Sequence, residues 1–184
     1  MNRDALKNGL IETCKELGVT PIAHTPLAGG LASGKYTALD PTGGTIGKAK
    51  YDFQTLEPLT PIHEAQERVA GMVRSRLRQS FNEQKNLRLK DYRAKPIEGD
   101  FNQQISTAQV ALHYIIAKGA VPVPGINNLK EAEELLGCVG WGLIDEEVSI
   151  LDDACDQAEK SKPTTTKTNP FLGKRRSNRV DMGF

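Results

Sequence analysis

The 184-residue sequence lacks several features that mark specialised classes of protein. No run of residues approaches the roughly 18 consecutive apolar residues of a transmembrane helix, which argues against a membrane partner. The N-terminus has the residue pattern of a helix and not that of a signal peptide. The formal net charge is only +1, so the overall field predicts no acidic partner such as a nucleic acid.

Cysteine is also scarce, and its spacing excludes the usual metal and disulfide patterns. Cys14, Cys138 and Cys155 are an odd number of widely separated residues, without a CxxC or Cys/His ligand motif. They predict reduced, mostly buried thiols in a cytoplasmic protein with no metal site. This location holds as the sequence is written, unless a longer N-terminus carries an organelle-targeting peptide.

The order of the predicted elements is that of an α/β protein. With 38% hydrophobic and 26% charged residues, the chain is long enough for one core. Apolar spacing and capping residues predict a helix that ends near Gly18, a strand at Val19 to Ala23, a helix capped by Ser106 and Gln109, a strand at Ala120 to Val123, a helix from Asn128 to Leu136 and a helix from Asp145. Pro21 argues against uninterrupted pairing, so the first strand is expected to be brief or bent. Because two parallel strands do not form a stable sheet alone, the chain is expected to be part of a domain.

Between the two strands lies a long insert at about 40–104. It begins as a loop at Asp40, and its apolar spacing predicts a helix after Pro61. Eight basic residues against two acidic ones between Arg74 and Lys95 favour a solvated helix face or an insertion, with a phosphate-rich partner as the alternative. The basic tail, 161–184, has no apolar periodicity and is predicted to be disordered, with a nuclear-type or anionic-surface signal as the alternative.

Four segments, in order along the chain, resemble segments of the aldo-keto reductases. They are Ile22 to Tyr36, Thr107 to Tyr114, Val121 to Asn128 and Val139 to Val148. In that family they correspond to the seventh strand and its loop, the helix before the eighth strand, the eighth strand with its cofactor loop, and the entry to the closing helix. The resemblance implies that residues 1–160 form a partial TIM (β/α)8 barrel, roughly the last two βα units with a long helical insert.

The resemblance implies an oxidoreductase that reduces the carbonyl group of an aldehyde or ketone with NADPH. The family's catalytic tyrosine, lysine, aspartate and histidine lie on earlier strands, so no catalytic residue can be assigned to this chain. The histidines His24, His63 and His113 do not replace them. We expect the chain to be a C-terminal, cofactor-binding part, inactive without its own missing N-terminal half. The alternative is a noncatalytic remnant that binds nucleotides weakly or acts as a protein-interaction module.

The same resemblance assigns cofactor contacts to two loops. His24 takes the place of the tyrosine that stacks on the nicotinamide, and Thr25 keeps the hydroxyl of the usual serine. The complete set is His24, Thr25, Leu27, Gly29, Leu31, Gly125, Ile126, Asn127, Asn128 and Glu131. The alternative for the first loop is that His24 caps a strand end and the glycines form turns.

Two departures from the family pattern predict that NADP(H) binds weakly, or only with the missing half present. Asn127 stands where an arginine often binds the 2′-phosphate, so the charged fork is absent. Glu131 and Leu135 replace the usual glutamine and asparagine of the next helix, so one contact has become anionic and the other apolar.

Overall fold

The computed structural model describes residues 3–43, 49–90 and 101–161, with every side chain in these ranges except that of Leu89. The described chain is helix-rich, with one small parallel sheet. The helices are α1 (Asp4–Lys7), α2 (Leu10–Glu16), α3 (Phe53–Leu56), α4 (Thr60–Lys90), α5 (Thr107–Ala117), α6 (Leu129–Leu136) and α7 (Asp145–Lys160), the strands are β1 (Ile22–His24) and β2 (Val121–Val123), and two 3-10 segments cover Ala28–Ser33 and Glu57–Leu59.

The hydrophobic core lies between α4, α5 and α7. In the first half of α4 the apolar residues recur every three or four positions, which places them on one face of the helix. The core cluster consists of Ile62, Ala65, Val69, Ala70, Val73, Ile105, Val110, Tyr114, Leu151, Ala154, Cys155 and Ala158. Neither strand contributes a residue to this cluster, so helix packing holds the described chain together.

A buried ion pair joins α4 to the start of α7. Glu147 is only 1% exposed, and its carboxylate accepts hydrogen bonds from Nε and Nη2 of Arg76 at 3.2 and 3.1 Å. The same carboxylate accepts from the backbone N–H of Ile144 at 3.0 Å and so caps α7. Arg76 also donates to the carbonyl of Gly142. This arginine is therefore a structural residue and not simply part of a solvated basic face.

Strands β1 and β2 pair in parallel. Ile22 lies opposite Val121, and His24 lies opposite Val123. Alternate residues of a strand point to the same face, so these four side chains share one face of the sheet. That face is open, since Ile22 is 71% exposed and Val121 and Val123 are 49% and 53% exposed. The described part of the chain thus has an apolar sheet face that none of its own elements covers.

Most of the predicted elements are confirmed. Ser106 and Gln109 form the reciprocal capping box, and the side chain of Asn128 caps α6. Helix α4 begins at Thr60, next to the predicted start. Residues 91–100 and the tail from 162 onward lie outside the described residues, as does part of the loop after Asp40.

Two element predictions were wrong in detail. The single N-terminal helix is two short helices, because the chain turns at Gly9 with a φ of +79°. The first strand begins at Ile22 and not at Val19. Pro21, which has no backbone N–H to donate, precedes it. The α/β class is confirmed, whereas the partial barrel and the domain bounds stay predictions.

Candidate functional site

The carboxyl ends of β1 and β2 lie at the same edge of the sheet, because the strands are parallel and His24 is in register with Val123. Loop 25–34 leaves this edge from β1, and loop 124–128 leaves it from β2. In α/β proteins ligands bind outside the carboxyl ends of parallel strands. The structure therefore brings together the two groups of predicted cofactor residues.

His24 lies at the end of β1 with an exposed side chain. The Thr25 hydroxyl oxygen lies 2.6 Å from its Nδ1 and 3.4 Å from its Nε2, and so against one face of the ring. Thr25 itself has a φ of +53°. This left-handed conformation is a genuine outlier for a β-branched residue. It had no signal in the sequence, and such strain is concentrated at binding and catalytic sites.

Loop 25–34 is packed tightly over its own chain. Ala28 is a second non-glycine residue with positive φ, at +50°. The carbonyl of Gly29 accepts hydrogen bonds from Lys50 Nζ at 2.7 Å and from the Tyr51 hydroxyl at 3.0 Å. At Gly30 an added Cβ would lie 2.9 Å from the Tyr36 ring. Gly30 also has a φ of +100°, so both its backbone conformation and its contact with Tyr36 favour glycine at this position.

Two helices hold the far end of the same loop. His63 Nε2 lies 2.7 Å from the carbonyl oxygen of Leu31, and Gln66 Nε2 donates to the carbonyl of Ala32 at 3.1 Å. From α5, the Thr107 hydroxyl donates to the carbonyl of Ser33 at 2.6 Å. Sequence reasoning missed these contacts because His63 and Gln66 belong to the insert, 32 and 34 residues from their partners.

The second loop, 124–128, lies beside a negative charge at the start of α6. Gly125, Ile126 and Asn127 are exposed, and the Asn128 side chain accepts from the backbone N–H of Glu131 at 2.9 Å. The Glu131 carboxylate in turn accepts from the backbone N–H of Asn127 at 2.9 Å and from its side chain at 3.1 Å. The N-terminus of α6 attracts anions, and this carboxylate already occupies part of it.

These hydrogen bonds favour the ionised form of the Glu131 carboxylate. The backbone and side-chain hydrogen bonds from Asn127 lower the pKa of Glu131, with a smaller contribution from the positive charge of Lys35. Lys35 lies just beyond loop 25–34, and its positive charge acts on the Glu131 carboxylate in the first turn of α6. Lys35 is not among the residues that the sequence predicts to contact the cofactor.

A tyrosine, a lysine and an aspartate do meet in this structure, but at the other end of the sheet. The Tyr114 hydroxyl and Lys118 Nζ each donate to the Asp152 carboxylate at 2.6 Å. Lys118 follows the last turn of α5, next to the amino end of β2. Burial, reinforced by the hydrogen bond to Asp152, raises the pKa of Tyr114 far above its ordinary value. This cluster ties α5 to α7.

The other two histidines are buried. His113 is buried against Trp141, and its Nε2 lies 3.0 Å from the carbonyl oxygen of Cys138. His63 lies beneath loop 25–34. In residues 3–43, 49–90 and 101–161, no group of three or more His, Cys, Asp and Glu side chains is arranged to hold a metal ion. None of the helices in these ranges combines the length and apolarity needed to cross a bilayer.

Comparison with known proteins gives a consistent match. The model of the Aldo/keto reductase family matches residues 1–156. The chloroplastic pyridoxal reductase of Arabidopsis thaliana is 30% identical over 149 residues, which are 80% of this chain and 32% of that protein. The aldo-keto reductase str7 of Strobilurus tenacellus is 26% identical over 155 residues, 83% of this chain and 38% of the relative.

A third relative carries its cofactor in its name. The aldo-keto reductase yakc of Schizosaccharomyces pombe, named for NADP(+), is 27% identical over 155 residues, 82% of this chain and 37% of the relative. The chain thus spans about a third to two fifths of the length of these curated relatives. No solved structure gives a significant match.

Proposed function

The chain belongs to the aldo-keto reductase family, and from this membership we propose that it is the cofactor-binding, C-terminal part of an oxidoreductase that reduces aldehydes or ketones with NADPH. One observation carries the proposal. The two loops that resemble the family's cofactor segments leave the same edge of the parallel sheet, His24 in register with Val123. The name of the yakc relative supports NADP(H) as the cofactor.

The residues of this edge suit the binding of a dinucleotide. A bound nicotinamide supplies the hydride, while the protein binds and orients it. The exposed imidazole of His24 offers the face opposite the Thr25 hydroxyl for stacking on the nicotinamide ring. Gly125 has open space on its Cβ side, so a ligand can approach the backbone of the second loop closely.

The second loop also explains why binding should be weak. The ionised Glu131 carboxylate, bonded to Asn127, occupies the N-terminus of α6, where the family resemblance would place the 2′-phosphate. Two anions at one helix terminus repel each other. Asn127 offers no positive charge to offset this repulsion. NADP(H) is therefore expected to bind this chain less tightly than it binds a family member with arginine at that position.

The open sheet face supports the proposal that the working enzyme has further strands. Parallel sheets are normally covered on both faces, but the side chains of Ile22, Val121 and Val123 are about half or more exposed. We propose that the remaining strands of a (β/α)8 barrel cover this face and supply the catalytic tyrosine, lysine, aspartate and histidine. The 184-residue chain alone is then inactive.

Titration of the purified chain with NADPH, followed by calorimetry, tests the cofactor site. Weak but saturable binding is expected. Gly125→Ala should weaken it without changing the thermal midpoint, because the added Cβ meets open space in the free protein. Gly142→Ala is the matched control, since Gly142 also has open space around it but lies outside both loops. Absence of NADPH binding both by the chain alone and by its mixture with the N-terminal part of a relative, or equal effects of the two substitutions, would contradict the proposed site.

An activity assay tests the second half of the proposal. The chain alone, with NADPH and a panel of aldehydes and ketones, should show no turnover. Mixing it with the N-terminal part of a relative that carries the missing strands should restore NADPH oxidation. Saturable turnover by the chain alone would show that the catalytic groups lie within it, contrary to the proposal.

The cytoplasmic location also stays a proposal, since one relative is named as chloroplastic. Imaging of the native, full-length gene product fused to a fluorescent protein at its C-terminus would decide it. A signal confined to an organelle would refute the cytoplasmic location.

A further inference from the structure

Two polar side chains of α4 are buried at a cost that their packing does not explain. His63 is 7% exposed and Gln66 is fully buried, and they lie three residues apart on one face of the helix. Each makes one hydrogen bond to loop 25–34 through Nε2. The remaining polar atoms, His63 Nδ1 and Gln66 Oε1, are buried without a hydrogen-bond partner among the described residues.

A buried polar side chain that makes only some of its hydrogen bonds leaves the folded protein less stable than an apolar side chain of the same shape would. Buried polar groups without full hydrogen bonding are expected at sites where function requires them in spite of the lost stability. The single bond that each of these side chains makes therefore indicates its role. Both bonds end on the main chain of the same loop, at the consecutive carbonyls of Leu31 and Ala32.

The start of the same loop is strained. Thr25 and Ala28 both have positive φ, which persists only where the surroundings over-determine the conformation. The strand fixes the loop before Thr25, and the bonds from α4 fix it after Ala28. The loop is thus held at both ends of its strained segment.

We propose that His63 and Gln66 are positioning residues that hold loop 25–34 in the conformation that receives the cofactor. The inference rests on the proposed function of this loop. It also gives the insert a role, because α4 supports the binding edge from behind. A loop fixed in advance loses less conformational entropy when a ligand binds, so these two bonds raise affinity without touching the ligand.

The test compares His63→Leu and Gln66→Leu with the unsubstituted chain. Each removes one donor to a loop carbonyl and keeps an apolar side chain in the core. Amide hydrogen exchange of residues 25–34 should accelerate by about fivefold for each lost bond, and NADPH affinity should fall by a similar factor. Exchange in the middle of α5 should stay at the unsubstituted rate.

Two further variants separate positioning from general stability. His63→Gln places an amide donor near the position of Nε2 and should restore both the exchange rate and the affinity. Gln103→Leu removes a glutamine that donates to a different carbonyl, that of Gly137, and should change neither. Equal acceleration in the loop and in α5, no rescue by His63→Gln, or a loosened loop with unchanged affinity would each overturn the positioning role.

Failure of the proposed function gives a different result. If neither the unsubstituted chain nor its mixture with the N-terminal part of a relative binds NADPH, the cofactor site is wrong, and the positioning role is lost with it. If the unsubstituted chain binds NADPH and both leucine variants bind it equally well, the site stands and only the positioning role is refuted.

Discussion

The ion pair between Arg76 and Glu147 gives the sharpest test of how the helices are held together. Replacing Arg76 with methionine leaves a carboxylate that is 1% exposed without its charged partner. Breaking a fully buried pair costs about 3–5 kcal/mol. Because the Arg76 side chain is 34% exposed, water reaches one side of the pair, and we expect the lower end, about 3 kcal/mol.

Replacing Glu147 with leucine should cost less. The arginine that remains can turn to solvent and still donate to the carbonyl of Gly142. What is lost is the charged hydrogen bonding and the cap on the Ile144 N–H, together about 2 kcal/mol. The double variant Arg76→Met/Glu147→Leu buries no charge. It should therefore cost only about 2 kcal/mol and be more stable than Arg76→Met alone.

Urea unfolding followed by circular dichroism measures these differences, provided that the slope with denaturant stays constant. Arg78→Met is the matched control, because Arg78 is exposed on the same helix, and it should change the free energy of unfolding by less than about 0.5 kcal/mol. If the two single effects simply add in the double variant, to about 5 kcal/mol, the two groups are not coupled and the reasoning is refuted.

Three further predictions concern single residues. Gly71→Ala should stabilise the chain by about 1 kcal/mol in thermal unfolding, because Gly71 lies inside α4 with open space around it; a loss of stability would contradict this. Burial lowers the pKa of His113 despite its hydrogen bond to the Cys138 carbonyl. As the pH falls below 6.5, the histidine of the unfolded chain is therefore protonated before that of the folded chain. The free energy of unfolding should fall over this range, down to the lower pKa of the folded state. His113→Gln should flatten this dependence in urea midpoints, and an unchanged slope would refute it. Glu131→Gln should raise NADPH affinity about fivefold in calorimetry, whereas Glu133→Gln on the same helix should not; equal effects would argue against a phosphate at this helix terminus.

Local rules predicted much of the secondary structure. The capping box at Ser106, the cap at Asn128 and the start of α4 depend on residues close in sequence, and all three are confirmed. The break at Gly9 was missed because the apolar spacing on both sides of it fits one continuous helix. The shortened first strand follows from Pro21, whose effect on pairing the sequence did indicate.

The support of the candidate site could not be read from the sequence. The cofactor residues were found from a resemblance, and the parallel register then placed their loops at one edge. The contacts of His63 and Gln66 span 32 and 34 residues, and a histidine or glutamine on a helix has no pattern that identifies a distant carbonyl as its partner. The positive φ of Thr25 likewise could not be predicted, since threonine rarely adopts it.

The hydrophobic core cluster contains no residue of β1, β2 or the loops at their carboxyl ends. Substitutions at the exposed residues of those loops therefore change what the edge can bind at little expense in folding free energy. Selection can then explore new ligands there without first acquiring compensating mutations in the helices, so within the described residues this edge is open to evolutionary change. A library randomised at Ile126 and Asn127 should accordingly keep most of its members folded.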